Sequence, residues 1–406
     1  MSQRFKSTVG RSAFFLLYPL VFAPQPSIAQ DLRFPIVDTM QTRCFDTAGT
    51  VIDCPSVDEA LYGQDAQYSG KPASYTDNGN KTVTDNVTML VWQQTPKNDR
   101  LQYSDALAYC AGLALGGRTD WRVPSIKELY SLADNRGELL KPEEGEPPPY
   151  IDTRVFDFYY PDGQMAFAGQ YWSSTLYVKG PVQNGRNQAA FGFNFADGHI
   201  KAYGIGVDFY TGAASVGGLT ADDGQTPGNY VRCVTGAEGV YGVNAFVDNA
   251  DGTVTDEATG RMWQQGDEGT RREWQEALAY CEGLELAGYD DWILPNSKEL
   301  QGIVDYRRTG FPAINESFFS ITQDSETLDF WTSTTFGDWK NYANVIAFGK
   351  ALSKSSEQTE YTDWHGAGAQ RSSIKTTIGQ AATEDTTCSV NACDYNQSYN
   401  LVRCLR

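Results

Sequence analysis

The 406 residues carry 51 acidic against 32 basic side chains, a net charge of −19, with nine tryptophans and 13% aromatic residues. Such a surface repels nucleic acid and anionic lipid and leaves neutral glycans, basic proteins and cations as partners. The length suits two domains of ordinary size, and the even count of eight cysteines points to disulfides in an exported chain.

The first 29 residues read as a secretory signal, removed on export. Arg4, Lys6 and Arg11 make a basic start, SAFFLLYPLVFA is too short to span a bilayer, and SIA at 27–29 offers a small-residue cleavage site. No cysteine follows to take a lipid, and no second apolar run of spanning length occurs. The expectation is a soluble periplasmic or extracellular protein without membrane insertion. Loss of the three basic residues leaves 29 Lys and Arg against 51 acidic residues, a net charge of −22.

A leader, 30–75, precedes two copies of one pattern, 76–238 and 239–406. AYCAGLALGGRTDWRVPSIKEL at 108–129 returns as AYCEGLELAGYDDWILPNSKEL at 279–300, with 13 of 22 positions identical. Asp77/Asp248, Trp92/Trp263, Cys110/Cys281, Trp121/Trp292, Pro124/Pro295 and Cys233/Cys404 are all 171 residues apart. So long a period means tandem domains, each expected to fold alone, rather than a solenoid. YWSST and FWTST break the offset, since Trp172 and Trp331 are 159 apart. The segment between that Trp and the last Cys therefore diverges, and divergent loops are where function varies.

Each copy opens with DNGNKTVTD or DNADGTVTD, a turn dipeptide followed by strand residues, which predicts a hairpin. Its carboxylates lack the spacing and terminal Glu of a calcium loop. A helix follows. In copy two Trp274, Ala277, Leu278, Cys281 and Leu284 form its apolar face, with Thr270 and Glu273 as a capping box. Ser125/Glu128 and Asn296/Glu299 have the spacing of caps for a second helix, which leaves Lys127 and Lys298 solvated. The repeated stretch therefore reads as frame and not as an active site. A short Val-Arg-Cys strand closes each copy. Cys110 to Cys233 and Cys281 to Cys404 both span 123 residues, which predicts a disulfide in each copy. The remaining cysteines then pair as Cys44–Cys54 and Cys388–Cys393.

The order hairpin, Trp, Ala-Leu-Ala-Tyr-Cys, Asp-Trp-x-x-Pro-x-x-Lys-Glu-Leu, Trp-[Ser/Thr]-Ser-Thr and Val-Arg-Cys resembles the Lcl C-terminal domain family, which ends certain bacterial collagen-like adhesins. The leader resembles the segment often found before such domains. More distantly the frame is similar to the C-type-lectin-like and sulfatase-modifying-factor group, whose ligand sites lie on long loops and whose first helix is disulfide-bonded to the last strand. The resemblance implies an α+β fold of two tandem C-type-lectin-like domains, each with two helices and a mostly antiparallel sheet. The lectins' Glu-Pro-Asn and Trp-Asn-Asp signatures are missing, and the reactive cysteines of formylglycine-generating enzymes have no counterpart. The family's adhesins are implied to bind sulfated glycans, a ligand that a charge of −22 disfavours.

The functional expectation is a non-catalytic binding or adhesion protein for a glycan or protein ligand, with no cofactor apart from a possible calcium ion. Candidate contacts are Asn194, Asp197 and His199 in copy one, and Asp338, Trp339, Asn341, Asn344, Trp364 and His365 in copy two, because aromatic faces stack on sugars while amides and carboxylates bind hydroxyls. The second copy, with two loop tryptophans, is expected to dominate. FGFNFADGHIKAY also reads as a plain hairpin with an Asp-Gly turn. The alternatives are a structural subunit of an extracellular assembly, or a carboxylate-based or sulfatase-modifying-factor-like enzyme. The two histidines have no evident catalytic partners.

Overall fold

The computed structural model describes residues 32–138, 148–160, 169–182, 187–208, 210–212, 228–354, 359–376 and 393–406. The signal region and the Cys388–Cys393 pairing lie outside the described residues.

In the leader, β1 (Cys44–Phe45) and β2 (Val51–Ile52) form a small hairpin beside the Cys44–Cys54 disulfide. Copy one begins with the meander β3 (Tyr75–Asp77), β4 (Thr82–Asp85) and β5 (Val91–Gln93). Two helices follow, α1 (Tyr103–Ala111) and α2 (Ile126–Ser131), and then a three-stranded antiparallel sheet of β6 (Gln170–Val182), β7 (Asn187–Asn194) and β8 (Ile200–Asp208). The short β9 (Val234–Thr235) returns to pair with β5. Copy two repeats this with β10 (Phe246–Asp248), β11 (Thr253–Asp256), β12 (Arg261–Gln264), α3 (Trp274–Glu282), α4 (Ser297–Gly302), β13 (Asp329–Thr335) and β14 (Tyr342–Ala347). Its divergent part holds β15 (Leu352–Lys354), β16 (Thr362–Asp363), β17 (Gln370–Ile374) and β18 (Cys393–Asp394). The fold is α+β and mostly antiparallel. No described helix is long and apolar enough to cross a membrane.

The opening hairpins spend their carboxylates on the turn. Asp77 accepts the Gly79 N–H at 2.8 Å and Asp248 that of Ala250 at 2.8 Å, while Asp251 takes both the N–H and the hydroxyl of Thr253. Gly79 has φ +68° and Gly252 +87°, where a Cβ would be strained. Within the strands, Val83 opposite Trp92 and Val254 opposite Trp263 face the core.

In α3, Trp274, Ala277, Leu278 and Cys281 are buried, as the periodicity requires. Its cap differs from expectation. Glu273 is the N-cap and Glu276 the N3 partner, because the helix starts at Trp274 and not after Thr270. The boxes on α2 and α4 form as expected, with Glu128 accepting the Ser125 N–H at 2.8 Å and Glu299 that of Asn296 at 3.0 Å. Each glutamate has a second bond that the spacing did not show. Arg122 grips Glu128 with two bonds of 2.7 and 2.6 Å, and Arg261 reaches Glu299 at 2.6 Å. The lysines are a correction. Lys298 is buried and Lys127 half-buried, because the face they occupy is covered by the other copy.

The last segment explains the recurrent Val-Arg-Cys, although it is not the expected strand: in copy one regular strand begins only at Val234, and in copy two Asn400, Leu401 and Leu405 make isolated bridges. Arg232 and Arg403 are fully buried. Nη1 of Arg232 donates to the carbonyls of Gln93 and Gln94 at 2.7 and 2.5 Å, and Nη2 to Asp157 at 2.6 Å. Arg403 does the same to Gln264, Gln265 and Ser320 at 2.6, 2.6 and 2.7 Å. Disulfides Cys110–Cys233 and Cys281–Cys404 lie beside these hubs with Cα separations of 5.6 and 5.5 Å.

Residues 32–406 make one unit. A six-stranded sheet, ordered β13-β14-β17-β8-β7-β6, runs through both copies. One large apolar cluster spans them, while each long disulfide sits in a smaller cluster with its own copy's tryptophans. The leader ties the halves together. Thr39 and Thr334 both donate to the buried Asp65, at 2.8 and 2.6 Å, and Gln41 bridges the carbonyls of Asn135 and Thr335.

Candidate ligand-binding site

Seven of the nine tryptophans are at most 3% exposed and belong to the core, Trp364 is partly buried, and Trp339 is 47% exposed. Trp339 stands at the tip of the β13–β14 hairpin, its ring 6.1 Å from that of Phe336 and 5.5 Å from that of Tyr342. Both supporting rings are buried, so the indole is propped from behind with one side open. The tip is also fixed in place. Asp338 accepts the Tyr150 hydroxyl from copy one at 3.0 Å, and Lys340 pairs with Glu138 at 2.8 Å. The Asn341 carbonyl accepts the Lys375 N–H at 2.9 Å. Asp338 and Asn341, both partly exposed, flank Trp339 in sequence. An open indole face with neighbouring polar groups is suited to stacking on a ligand and orienting it.

The other candidates lie elsewhere. Asn194 is fully buried and caps the β7–β8 turn, accepting the Ala196 N–H at 2.9 Å, and Asn344 is buried inside β14. Asp197, His199 and His365 are also buried, at the seam where Gln370 of β17 pairs with Ile200 of β8. There His199 Nδ1 is 3.3 Å from Asp197, Lys201 3.7 Å from the same carboxylate, and His365 Nε2 2.8 Å from Asp394, which also holds Arg371. None of these side chains is placed to meet a ligand from solvent. Trp364 is anchored through its backbone N–H to the Ala351 carbonyl at 3.1 Å.

Ser372 Oγ is 3.5 Å from His199 Nε2, so a serine, a histidine and an aspartate stand in line, an arrangement invisible in the sequence order. Burial and the nearby Arg371 push His199 down to about 4. A base that weak, enclosed in the seam, is poorly matched to activating a hydroxyl near neutral pH. The network joins the copies and supports the platform, since the His199 ring lies 4.7 Å from Phe336.

The seam makes a testable pH dependence. Burial, with Arg371 next, pushes His365 down to about 3 against an ordinary value of 6.5. The unfolded chain then binds the extra proton between these values, so this group's contribution falls as pH drops below 6.5. Relative to His365→Gln, the wild type is expected to lose up to ~1.4 kcal/mol per pH unit between about pH 6 and pH 4. Urea unfolding at stepped pH reads this; parallel curves for the two proteins would contradict it.

A concavity of about 450 Å³ lies near the opposite end of the β13–β14 hairpin, lined by Glu326, Thr327, Leu352, Glu360, Tyr361 and Tyr395 among others. The two tyrosine rings meet edge to face at 5.4 Å, and the Lys354 ammonium sits 4.5 Å from the Tyr361 ring. Among the described residues no group of three or more His, Cys, Asp or Glu is placed to hold a metal.

The model of the Lcl C-terminal domain matches residues 81–235 and 252–365, well over half of the chain. The chain belongs to the Lcl C-terminal domain family. No match was found among curated proteins or among solved structures. The first Lcl C-terminal domain match runs past Cys233 into β9, whereas the second stops at His365. Arg371, Asp394, Arg403 and the Cys281–Cys404 closure thus lie partly or wholly beyond the stretch that follows the family pattern. The Trp339 hairpin tip lies inside it. Sequence reasoning missed Phe336, Tyr342 and Tyr150, which support that tip from the core and from the first Lcl C-terminal domain. Only the aromatic run around Trp339 hinted at the first two.

Proposed function

We propose that the protein is an exported, non-catalytic binding and adhesion protein whose second domain holds a glycan or protein ligand on the Trp339 platform. The observation that carries this reading is the contrast among tryptophans: seven fill the core, while Trp339 is 47% exposed on a braced hairpin tip. Export is supported by the signal-like first 29 residues and by three described disulfides. The family's place in collagen-like adhesins supports an adhesive role. A C-type-lectin-like frame is supported by the disulfide from first helix to last segment. The charge of −22 after signal removal favours neutral glycans or basic proteins over sulfated glycans. No cofactor enters the reading, and calcium is left as an arm of the test.

The test is a glycan-array screen of the mature chain, with and without calcium, beside Trp339→Ala. Truncating a ligand-stacking indole is expected to weaken retention at least ~tenfold, while a half-exposed tip residue changes stability by ~1 kcal/mol or less. Unchanged retention by Trp339→Ala, or a loss that follows a collapsed melting temperature, would remove the site from this hairpin.

A further inference from the structure

The Lys-Glu-Leu helices hold a reciprocity that helix capping does not explain. Lys127 and Lys298 are equivalent positions, 171 residues apart, and so are Ser131 and Gly302. Lys127 Nζ donates to the Gly302 carbonyl at the end of α4 at 2.6 Å, and to Gly242 and Asn244, in the segment entering copy two, at 3.1 and 3.0 Å. Lys298 Nζ donates to the Ser131 carbonyl at the end of α2 at 3.0 Å, and to the Asp38 carbonyl, in the leader, at 2.9 Å. Each lysine therefore reaches the equivalent helix end of the opposite copy, while its further partners differ.

A second observation has the same symmetry. β8 and β17 occupy equivalent places, and they pair antiparallel with Gln370 opposite Ile200. Antiparallel pairing of equivalent strands and exchange of equivalent side chains both describe a pseudo-two-fold axis, the geometry of a self-complementary interface. The chemistry suits the place. The last carbonyls of a helix have no intrahelical donor and sit at the negative end of its dipole, so an ammonium group satisfies both needs. Burial pushes both lysines down to about 8, while Asp256 and Asp305 around Lys127, and Asp134, Asp38, Asp85 and Asp65 around Lys298, favour the charge.

We propose that the Lys-Glu-Leu helix is a self-pairing surface, in which the glutamate starts its own helix and the lysine clamps the equivalent helix of a second copy of the same kind of domain. Here that partner is supplied in the same chain, and the pair holds without the covalent linker. The three described disulfides all close within the leader or within one copy, so none fastens the copies together.

The full mature chain can be tested by placing a protease site between Glu238 and Gly239, in the exposed stretch 236–240, and cutting after folding. The nicked chain is expected to keep its uncut mass in size-exclusion chromatography with light scattering at ~1 μM. Lys127→Met and Lys298→Met should each weaken fragment association ~tenfold or more, because each removes the donor that holds the opposite helix end. Asn244→Ala, which keeps both ammonium groups, provides a milder variant expected to weaken association severalfold if a methionine variant does not fold. Separation of the parental fragments on nicking would overturn the proposal, as would lysine and Asn244 variants that dissociate like the parent.

Discussion

Arg403→Met is expected to destabilise the protein by ~3–5 kcal/mol, because it strips the donor from three carbonyls at once, one of them fully buried, and leaves a buried carboxylate without its charge partner. Arg403 is fully buried, and its guanidinium serves Gln264, Gln265 and Ser320, which lie on two separate segments of copy two. Asp267, 3.9 Å away and also buried, would lose its charge partner. Burial pushes Arg403 down to about 10, still far enough above neutrality for the side chain to stay charged. Arg403→Lys should fail to rescue, since a point ammonium cannot reproduce a planar fork aimed at three acceptors. Urea unfolding read by tryptophan fluorescence measures the loss; a drop below ~1 kcal/mol would show that the carbonyls find other donors. The rest of the closure depends on the same region. Gln264 accepts the Cys404 N–H at 3.2 Å and donates to the Tyr280 hydroxyl at 2.9 Å, and Gln93 repeats this with Cys233 and Tyr109.

Removing the Cys281–Cys404 disulfide as the double serine variant is expected to be at least as damaging. It opens a loop of 123 residues, worth ~5 kcal/mol in the chain-entropy model. The shape of the transition carries as much information as its midpoint. Because one apolar cluster and one six-stranded sheet run through both copies, the loss should lower a single cooperative transition of the whole chain. Two separated transitions, with copy one melting at its original midpoint, would show that the copies are energetically independent.

The parts of this fold that could be read from sequence are those written locally or written twice. The turn dipeptides, the apolar spacing of α3 and the Ser125/Glu128 and Asn296/Glu299 boxes are local, and the structure contains them. The 123-residue cysteine spacing needed no knowledge of the path between, because both copies repeat it. What was illegible depends on the partner copy. Lys127 and Lys298 look solvated on a lone helix, and only the opposing helix end shows why they are buried. His199 and His365 lack partners in sequence because Asp394, Arg371 and Lys201 reach the seam from different elements and different copies. For the ligand site, the loop tryptophans narrowed the search, but burial had to separate open Trp339 from Asn194, Asn344 and the seam residues. One signal was present and unused: an arginine recurring before the last cysteine of each copy.

Binding through Trp339 is tested most directly by acrylamide quenching of tryptophan emission, with and without a glycan retained on the array. Free protein should show an accessible component that falls sharply in Trp339→Phe, since seven of the nine indoles are buried and Trp364 is partly buried. On saturation with ligand, that component should become protected in the parent. A ligand that binds while Trp339 stays fully quenchable would contradict the assignment of the site.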